Sequence, residues 1–332
     1  MKYQALVAHE RENGVFEQVL TGLSTENLPP GEILIKVEYS SLNYKDALSA
    51  TGNKGVTRKY PFTPGIDAAG YVAESHSSRF KEGDQVLVTG YDLGMNTPGG
   101  FGQYIRVPAA WVVALPLGLS MKHAMIQGTA GYTTALALHR MLINGMSADQ
   151  GAVLVTGATG GVGSLAILLL DHLGFEVIAA TLKEEKHDYL RSIGASEIIS
   201  SAELKDTSDR GLLSGRWAHA IDTVGGDILS TVVRSTKPFG NVSVLGLANS
   251  AMLTMPVFPL IIRGVNMLGV NSAETPYDLR LQLWKNLATI WKPEIPEALL
   301  TEVSLDGLKE YIEKILKGKI TGRVIVKTGE GY

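Results

Sequence analysis

The chain has 332 residues, is 45% apolar and contains no cysteine, so it is too long for one ordinary core and rich enough in apolar groups for two. Thirty Lys and Arg against 33 Asp and Glu give a formal charge of −3, which offers no electrostatic case for nucleic acid. The missing cysteines exclude disulfides, iron–sulfur clusters and thiolate-bound zinc, and no apolar run approaches the roughly 18 residues of a membrane span.

Met1 to His9 mixes charged and apolar residues, unlike the charged-then-apolar layout of a signal peptide, so a cytoplasmic protein is expected. Residues 1–120 read as β-rich. Strands are predicted at 4–8, 15–20, 32–39, 67–73, 84–89 and 103–107, with Pro29-Pro-Gly31 and Tyr60 to Gly65 as turns and a loop entering a short helix at 40–49. Short strands with Gly/Pro punctuation suggest a small barrel or sandwich. The spacing then turns helical over 121–146, where Gly128 and Gly131 suggest a break or a close helix contact.

From Gly151 strand and helix alternate. Strands at 153–156, 176–181, 197–199, 217–222, 241–246 and 266–270 are separated by apolar helical runs, which predicts an α/β fold with a Rossmann-type doubly wound parallel sheet. Helices at 256–263, 277–291 and 305–316 and a strand at 321–327 complete the chain. The last segment is expected to return to the first domain, giving a discontinuous domain of 1–120 and 271–332 around a dinucleotide-binding domain of 121–270.

The chemistry starts at Val153-Leu-Val-Thr-Gly157-Ala-Thr-Gly160-Gly161-Val-Gly163, a strand, a glycine turn and a helix start. Glycines admit a large ligand against the backbone, and the helix aims free N–H groups and its positive dipole end at the turn. Thr159, Gly160, Gly161 and Val162 are the predicted pyrophosphate contacts. The next strand ends at Thr181-Leu182-Lys183, where NAD-binding units usually carry an acidic residue for the ribose hydroxyl. A hydroxyl and a cation suit a 2′-phosphate, which favours NADPH; Lys183 as a solvated helix-start residue is the competing reading, and Glu184 and Glu185 lie close by. Leu247 and Ser272 follow strands of the sheet, where they either line the nicotinamide side or form ordinary turns. Arg263 and Arg323, each flanked by apolar runs, hold either a phosphate of a cofactor or substrate, or a structural ion pair.

Pro64-Gly-Ile-Asp-Ala-Ala-Gly70, between Asn43-Tyr-Lys-Asp46 and Phe80-Lys-Glu-Gly-Asp84-Gln-Val86, resembles the medium-chain dehydrogenase/reductase superfamily over essentially the whole chain. Ser41 to Leu48, Thr89 to Gly94 and Ile262 to Val265 resemble its quinone-oxidoreductase-like branch of the YhdH type. The resemblance implies a GroES-like β-barrel-type domain beside the Rossmann domain, and NADPH-dependent reduction of acryloyl-CoA to propanoyl-CoA. An NADPH:quinone oxidoreductase and a non-catalytic NADPH-binding protein are the alternatives. Where zinc members carry Gly-His-Glu, this chain has Gly65-Ile66-Asp67 and no thiolate, so no metal is expected.

The resemblance puts Asn43, Tyr44 and Asp46 beside the cofactor as the catalytic set. Asn43 and Tyr44 are suited to donate to a carbonyl, Tyr44 alternatively to contact the nicotinamide, and Asp46 to orient its neighbours; the competing reading is a capped loop with Tyr44 packed under the barrel. Thr129 and Arg323 join the cofactor contacts, with helix packing the competitor for Thr129. A homodimer is expected if the 267–270 strand extends a sheet across two copies, and none if that strand is internal.

Overall fold

Alternating apolar and polar residues in the first third of the chain become strands, and the glycine and proline clusters become the turns between them. The computed structural model describes residues 1–12 and 14–329. It begins with β1 (Lys2–Glu10), β2 (Phe16–Ser24), β3 (Ile33–Leu42), α1 (Tyr44–Ala50), β4 (Asp67–Ser75), β5 (Gln85–Thr89), β6 (Tyr104–Val107) and β7 (Val113–Ala114). The middle holds α2 (Met121–Ile143), β8 (Val153–Val155), α3 (Gly161–His172), β9 (Val177–Thr181), α4 (His187–Ser192), β10 (Glu197–Ser200), β11 (His219–Asp222), α5 (Gly226–Arg234), β12 (Asn241–Val244), α6 (Phe258–Ile262) and β13 (Asn266–Gly269). The chain closes with α7 (Tyr277–Ala288), β14 (Leu300–Ser304), α8 (Leu308–Leu316) and β15 (Arg323–Lys327).

The chain divides into two units. The first contains Met1–Thr129, Ala273–Ala288 and the chain from Leu300 onward; the second contains Ala130–Ser272 and Thr289–Leu299.

In the first unit β1 and β2 pair antiparallel, and a separate seven-stranded sheet has the order β14-β15-β3-β4-β5-β7 with β6 also on β3. Inward residues of that sheet, among them Ile35, Val37, Val86, Val88 and Ile105, form one core. Leu308 and Ile312 of α8 cover another with Leu42, Ala47 and Val324. The strand β14 is missing from the sequence reading. Its Thr301, Glu302 and Ser304 weaken the apolar pattern, and an edge position beside β15 needs only one covered face.

In the second unit all six strands are parallel, in the order β10-β9-β8-β11-β12-β13. The crossover after β10 reverses direction beside β8, so the carboxyl ends of β8 and β11 flank the switch point where such sheets bind ligands. The helix α3 is buried from Gly163 to Leu170, because this run is apolar all round except for Ser164, whose hydroxyl donates to the Ala158 carbonyl. Of the two glycines expected to mark a break or a close helix contact, Gly128 breaks α2, with φ 49° and ψ −153°. Gly131 stays helical, since α2 continues through it to Ile143.

Candidate active site

The second unit presents the glycine turn. The Thr156 hydroxyl donates to Asp222 Oδ1 at 2.7 Å and accepts the Thr223 N–H at 3.0 Å, and the Thr223 hydroxyl donates to the Thr156 carbonyl at 3.0 Å. These bonds tie the ends of the paired strands β8 and β11. Asp222 Oδ2 accepts the Val224 and Gly225 N–H groups at 3.2 and 2.7 Å; burial pushes its carboxyl up, and these donors oppose that. Gly157 has φ +59°, and a Cβ there would lie 2.1 Å from Thr223 Oγ1. A Cβ on Gly163 would lie 2.4 Å from the Gly157 carbonyl oxygen. Side chains are excluded at both positions, which lets α3 start tight against the turn.

The structure brings Thr159, Gly160, Gly161 and Val162 together there, with Gly160 capping α3 in an extended conformation. The first N–H groups of a helix have no partner inside it, so this turn fits a pyrophosphate. At the end of β9, Thr181 is buried and its hydroxyl accepts the Lys183 N–H at 3.1 Å. Leu182 is exposed. Lys183 is half-buried; burial pushes its ammonium down, Glu185 raises it, and Lys186 lowers it further. No carboxylate belongs to residues 181–183, so the strand end fits a phosphorylated ribose better than a free diol. Leu247 lines an apolar cavity of about 410 Å³ with Gly225, Gly226, Val244, Met252 and Met267. Ser272 accepts the Thr133 hydroxyl at 2.7 Å.

The first unit presents a buried charge network where β3 ends, β4 begins and β15 begins. Tyr39 pairs with Ala69 and Ile325 with Ser41, which brings Ser41, Asp67 and Arg323 to one place. Asp67 Oδ2 accepts the Ser41 hydroxyl at 2.6 Å, the Asn43 amide at 2.8 Å and the Thr129 N–H at 2.9 Å. Its Oδ1 accepts the Thr129 hydroxyl at 2.6 Å. The break in α2 releases two backbone groups on either side of Gly128, and both are used here: the Thr129 N–H by Asp67, the Ile126 carbonyl by Arg323 Nε at 2.8 Å. A Cβ on Gly128 would lie 2.6 Å from Asp67 Oδ2 and 2.7 Å from Ser41 Oγ.

Asp46, fully buried in α1, accepts the Asn43 N–H at 2.7 Å and the Asn43 amide at 3.1 Å on Oδ2, and the Ile66 N–H at 2.8 Å on Oδ1. The Asn43 N–H bond is one half of a capping box. Burial, and then the charge of Asp67, push the Asp46 carboxyl up to about 7 against those donors. Tyr44, the first residue of α1, is 53% exposed.

This geometry runs against two expectations. Asn43 cannot donate to a carbonyl as arranged, because its amide N–H groups go to Asp67 and Asp46 and its Oδ1 accepts from Arg323 Nη1 at 3.3 Å. Arg323 does not present a face to a cofactor phosphate: it is 2% exposed, and its other donors go to Ile126 and Leu42 carbonyls and, at 2.9 Å, to Ser41 Oγ. The Thr129 hydroxyl donates to Asp67, which leaves its oxygen able to accept a hydrogen bond. Of Asn43, Tyr44 and Asp46, only Tyr44 keeps an exposed polar group. Arg263 donates to the carbonyls of Arg234, Thr236 and Leu213. Ser41 and Asp67 are site residues that the sequence reading omits. A hydroxyl ending one apolar strand and a carboxylate starting the next are ordinary in a sequence, and only strand pairing reveals that they meet.

Residues 29–117 match the family model for the alcohol dehydrogenase GroES-like domain, and residues 161–289 match that for zinc-binding dehydrogenase. The chain is 44% identical to the protein named "Putative quinone oxidoreductase YhfP" of Bacillus subtilis, over 98% of both sequences. The crystal structure of that protein with NAD bound has a TM-score of 0.95 at 42% identity, covering 98% of this chain and 99% of that one. Acrylyl-CoA reductase AcuI of Ruegeria pomeroyi is 42% identical over 98% of both sequences. The yhdH oxidoreductase of Salmonella enterica, crystallised in complex with NADP, has a TM-score of 0.94 at 39% identity, covering 98% of this chain and 100% of that one.

Proposed function

Because this chain belongs to the YhdH-type, quinone-oxidoreductase-like branch of the medium-chain dehydrogenase/reductase superfamily, we propose that it is a zinc-free, NADPH-dependent reductase of an activated C=C bond, with acryloyl-CoA as substrate and propanoyl-CoA as product. The observation that carries the reading is the state of Asp67. Where zinc members have Gly-His-Glu the chain has Gly65-Ile66-Asp67, both Asp67 oxygens are filled by hydrogen-bond donors, and no cysteine exists to supply a thiolate. The residues present do not make a zinc ligand set. The acceptor is therefore activated by its own conjugation and by hydrogen bonding.

NADPH supplies the hydride that bonds to the β-carbon. As the C–H bond forms, the π-electron pair shifts toward the thioester oxygen, and a proton closes the α-carbon. The Tyr44 hydroxyl is the donor this chain offers to the developing oxyanion, since Asn43 is committed elsewhere. Asn43 and Asp46 hold the start of α1, and with it Tyr44, in place. Thr159 to Val162 hold the pyrophosphate, and Thr181 and Lys183 receive the 2′-phosphate.

The second reading, a quinone reductase with the same hydride chemistry, is favoured by the likeness to YhfP. NADPH consumption is compared with acryloyl-CoA and with quinones as acceptors. Turnover with acryloyl-CoA and little with quinones is expected. Turnover with quinones alone overturns the substrate assignment, and NADPH binding without oxidation by any acceptor supports the non-catalytic alternative.

The enzyme is proposed to act in the cytoplasm as a homodimer. The strand β13 is the open edge of its sheet, and Phe258, Ile261 and Ile262 of the preceding helix are exposed apolar groups. Sedimentation at the mass of one 35.6 kDa chain would reject the dimer.

A further inference from the structure

We infer that Asp67 is a positioning residue for the Tyr44 hydroxyl, acting through the Asn43 amide and the break in α2 at Gly128. The inference rests on the function proposed above, in which Tyr44 meets the substrate. Asp67 is fully buried and touches no solvent-facing ligand surface itself. It gathers three separate segments on one carboxylate: Ser41 at the end of β3, Asn43 at the cap of α1, and Thr129 just past the break. Asn43 is the residue directly before Tyr44. Its side chain is pinned from both ends, with the amide nitrogen on Asp67 and Asp46 and the amide oxygen on Arg323. The rotamer of Asn43 therefore sets where α1 starts, and the start of α1 sets the Tyr44 Cα.

The charges around this point are unequal. Asp46 from α1, Asp67 from β4 and Arg323 from β15 are the buried ionisable groups, two acids against one base. Asp67 takes four donors, two of them hydroxyls. Asp46 takes three, all of them amide N–H groups. Burial and then the charge of Asp67 push the Asp46 carboxyl up, and its three N–H donors oppose that. Uncharging Asp67 removes the like charge beside Asp46 and loosens Asn43 at the same time. Position and proton are thus controlled by one side chain.

The test is a double-mutant cycle with Asp67→Asn and Tyr44→Phe, read with NADPH and acryloyl-CoA. Asp67→Asn is expected to lower kcat at least about 10-fold and to leave NADPH affinity within about 2-fold. In the Tyr44→Phe background the same substitution is expected to cost little more, because the hydroxyl it positions is gone. Carboxyl NMR titration of Asp46 is the readout independent of turnover: its midpoint is expected to fall by about 1 unit or more in Asp67→Asn. Equal cost in both backgrounds, or an unmoved Asp46 titration, overturns the inference. Full activity of Tyr44→Phe alone would instead overturn the role of Tyr44 and with it the functional reading. Should Asp67→Asn not fold, Ser41→Ala removes one donor from the same carboxylate. Its kcat is expected to fall several-fold in the Tyr44 background only, and an unchanged kcat contradicts the inference.

Discussion

Thr129 and Asp67 are joined twice, the N–H to Oδ2 at 2.9 Å and the hydroxyl to Oδ1 at 2.6 Å, at the turn of α2 that Gly128 breaks. A helix that stayed regular would spend the Thr129 N–H on its own backbone. The break gives that donor to a carboxylate and gives the Ile126 carbonyl to Arg323. A break in a helix thus becomes one wall of a charge network.

Gly128→Ala is predicted to destabilise the protein by about 2–4 kcal/mol, by combining a backbone region open almost only to glycine with a Cβ driven against Asp67. Chemical denaturation measures it. A loss below about 0.5 kcal/mol would mean that the break is not held as described.

Tyr44→Phe is predicted to lower kcat by about 10²-fold, the usual scale for one oxyanion donor, with NADPH binding changed less than about 2-fold. Steady-state kinetics and a fluorescence titration of NADPH separate the two effects. A variant weakened in binding but not in kcat would move Tyr44 from the substrate to the cofactor.

Lys183→Ala is predicted to raise KM for NADPH about 10-fold or more and to leave KM for NADH nearly unchanged, since only the 2′-phosphate distinguishes them. An equal change for both cofactors would assign Lys183 to the turn alone.

His219 carries a pH prediction. Its ring is buried, accepts the Asn241 N–H on Nδ1 at 3.0 Å and bonds Gln150 through Nε2 at 2.7 Å, so burial pushes its pKa down to about 4. The folded form resists the proton that the unfolded chain takes up at about 6.5, so this contribution to stability is complete above that pH and is lost as pH falls toward 4. Unfolding free energy should drop by up to about 1.4 kcal/mol per pH unit in that window. His219→Gln should flatten this dependence, and an unchanged slope would place the acid sensitivity elsewhere.

The glycine turn and the alternation after Gly151 were legible in sequence because each depends on neighbours: a β-branched run, glycines, then an apolar helix. The break at Gly128 could be anticipated for the same reason. The roles of Asn43, Thr129 and Arg323 could not, since hydrogen-bond capacity shows in a sequence but the partner that consumes it does not. Asp67 lies 24 residues from Asn43 and 62 from Thr129 in sequence, and strand pairing together with the break in α2 brings the three together. The edge strand β14 escaped because one covered face leaves a weak apolar pattern.

The proposed reaction is direct hydride transfer to the β-carbon of a conjugated thioester. Deuterium placed on the transferring position of NADPH and followed into the product of acryloyl-CoA reduction tests it most directly. The expected product is propanoyl-CoA with one deuterium on the β-carbon and none on the α-carbon, whose new hydrogen comes from solvent. Label on the α-carbon, or unlabelled propanoyl-CoA, would contradict it.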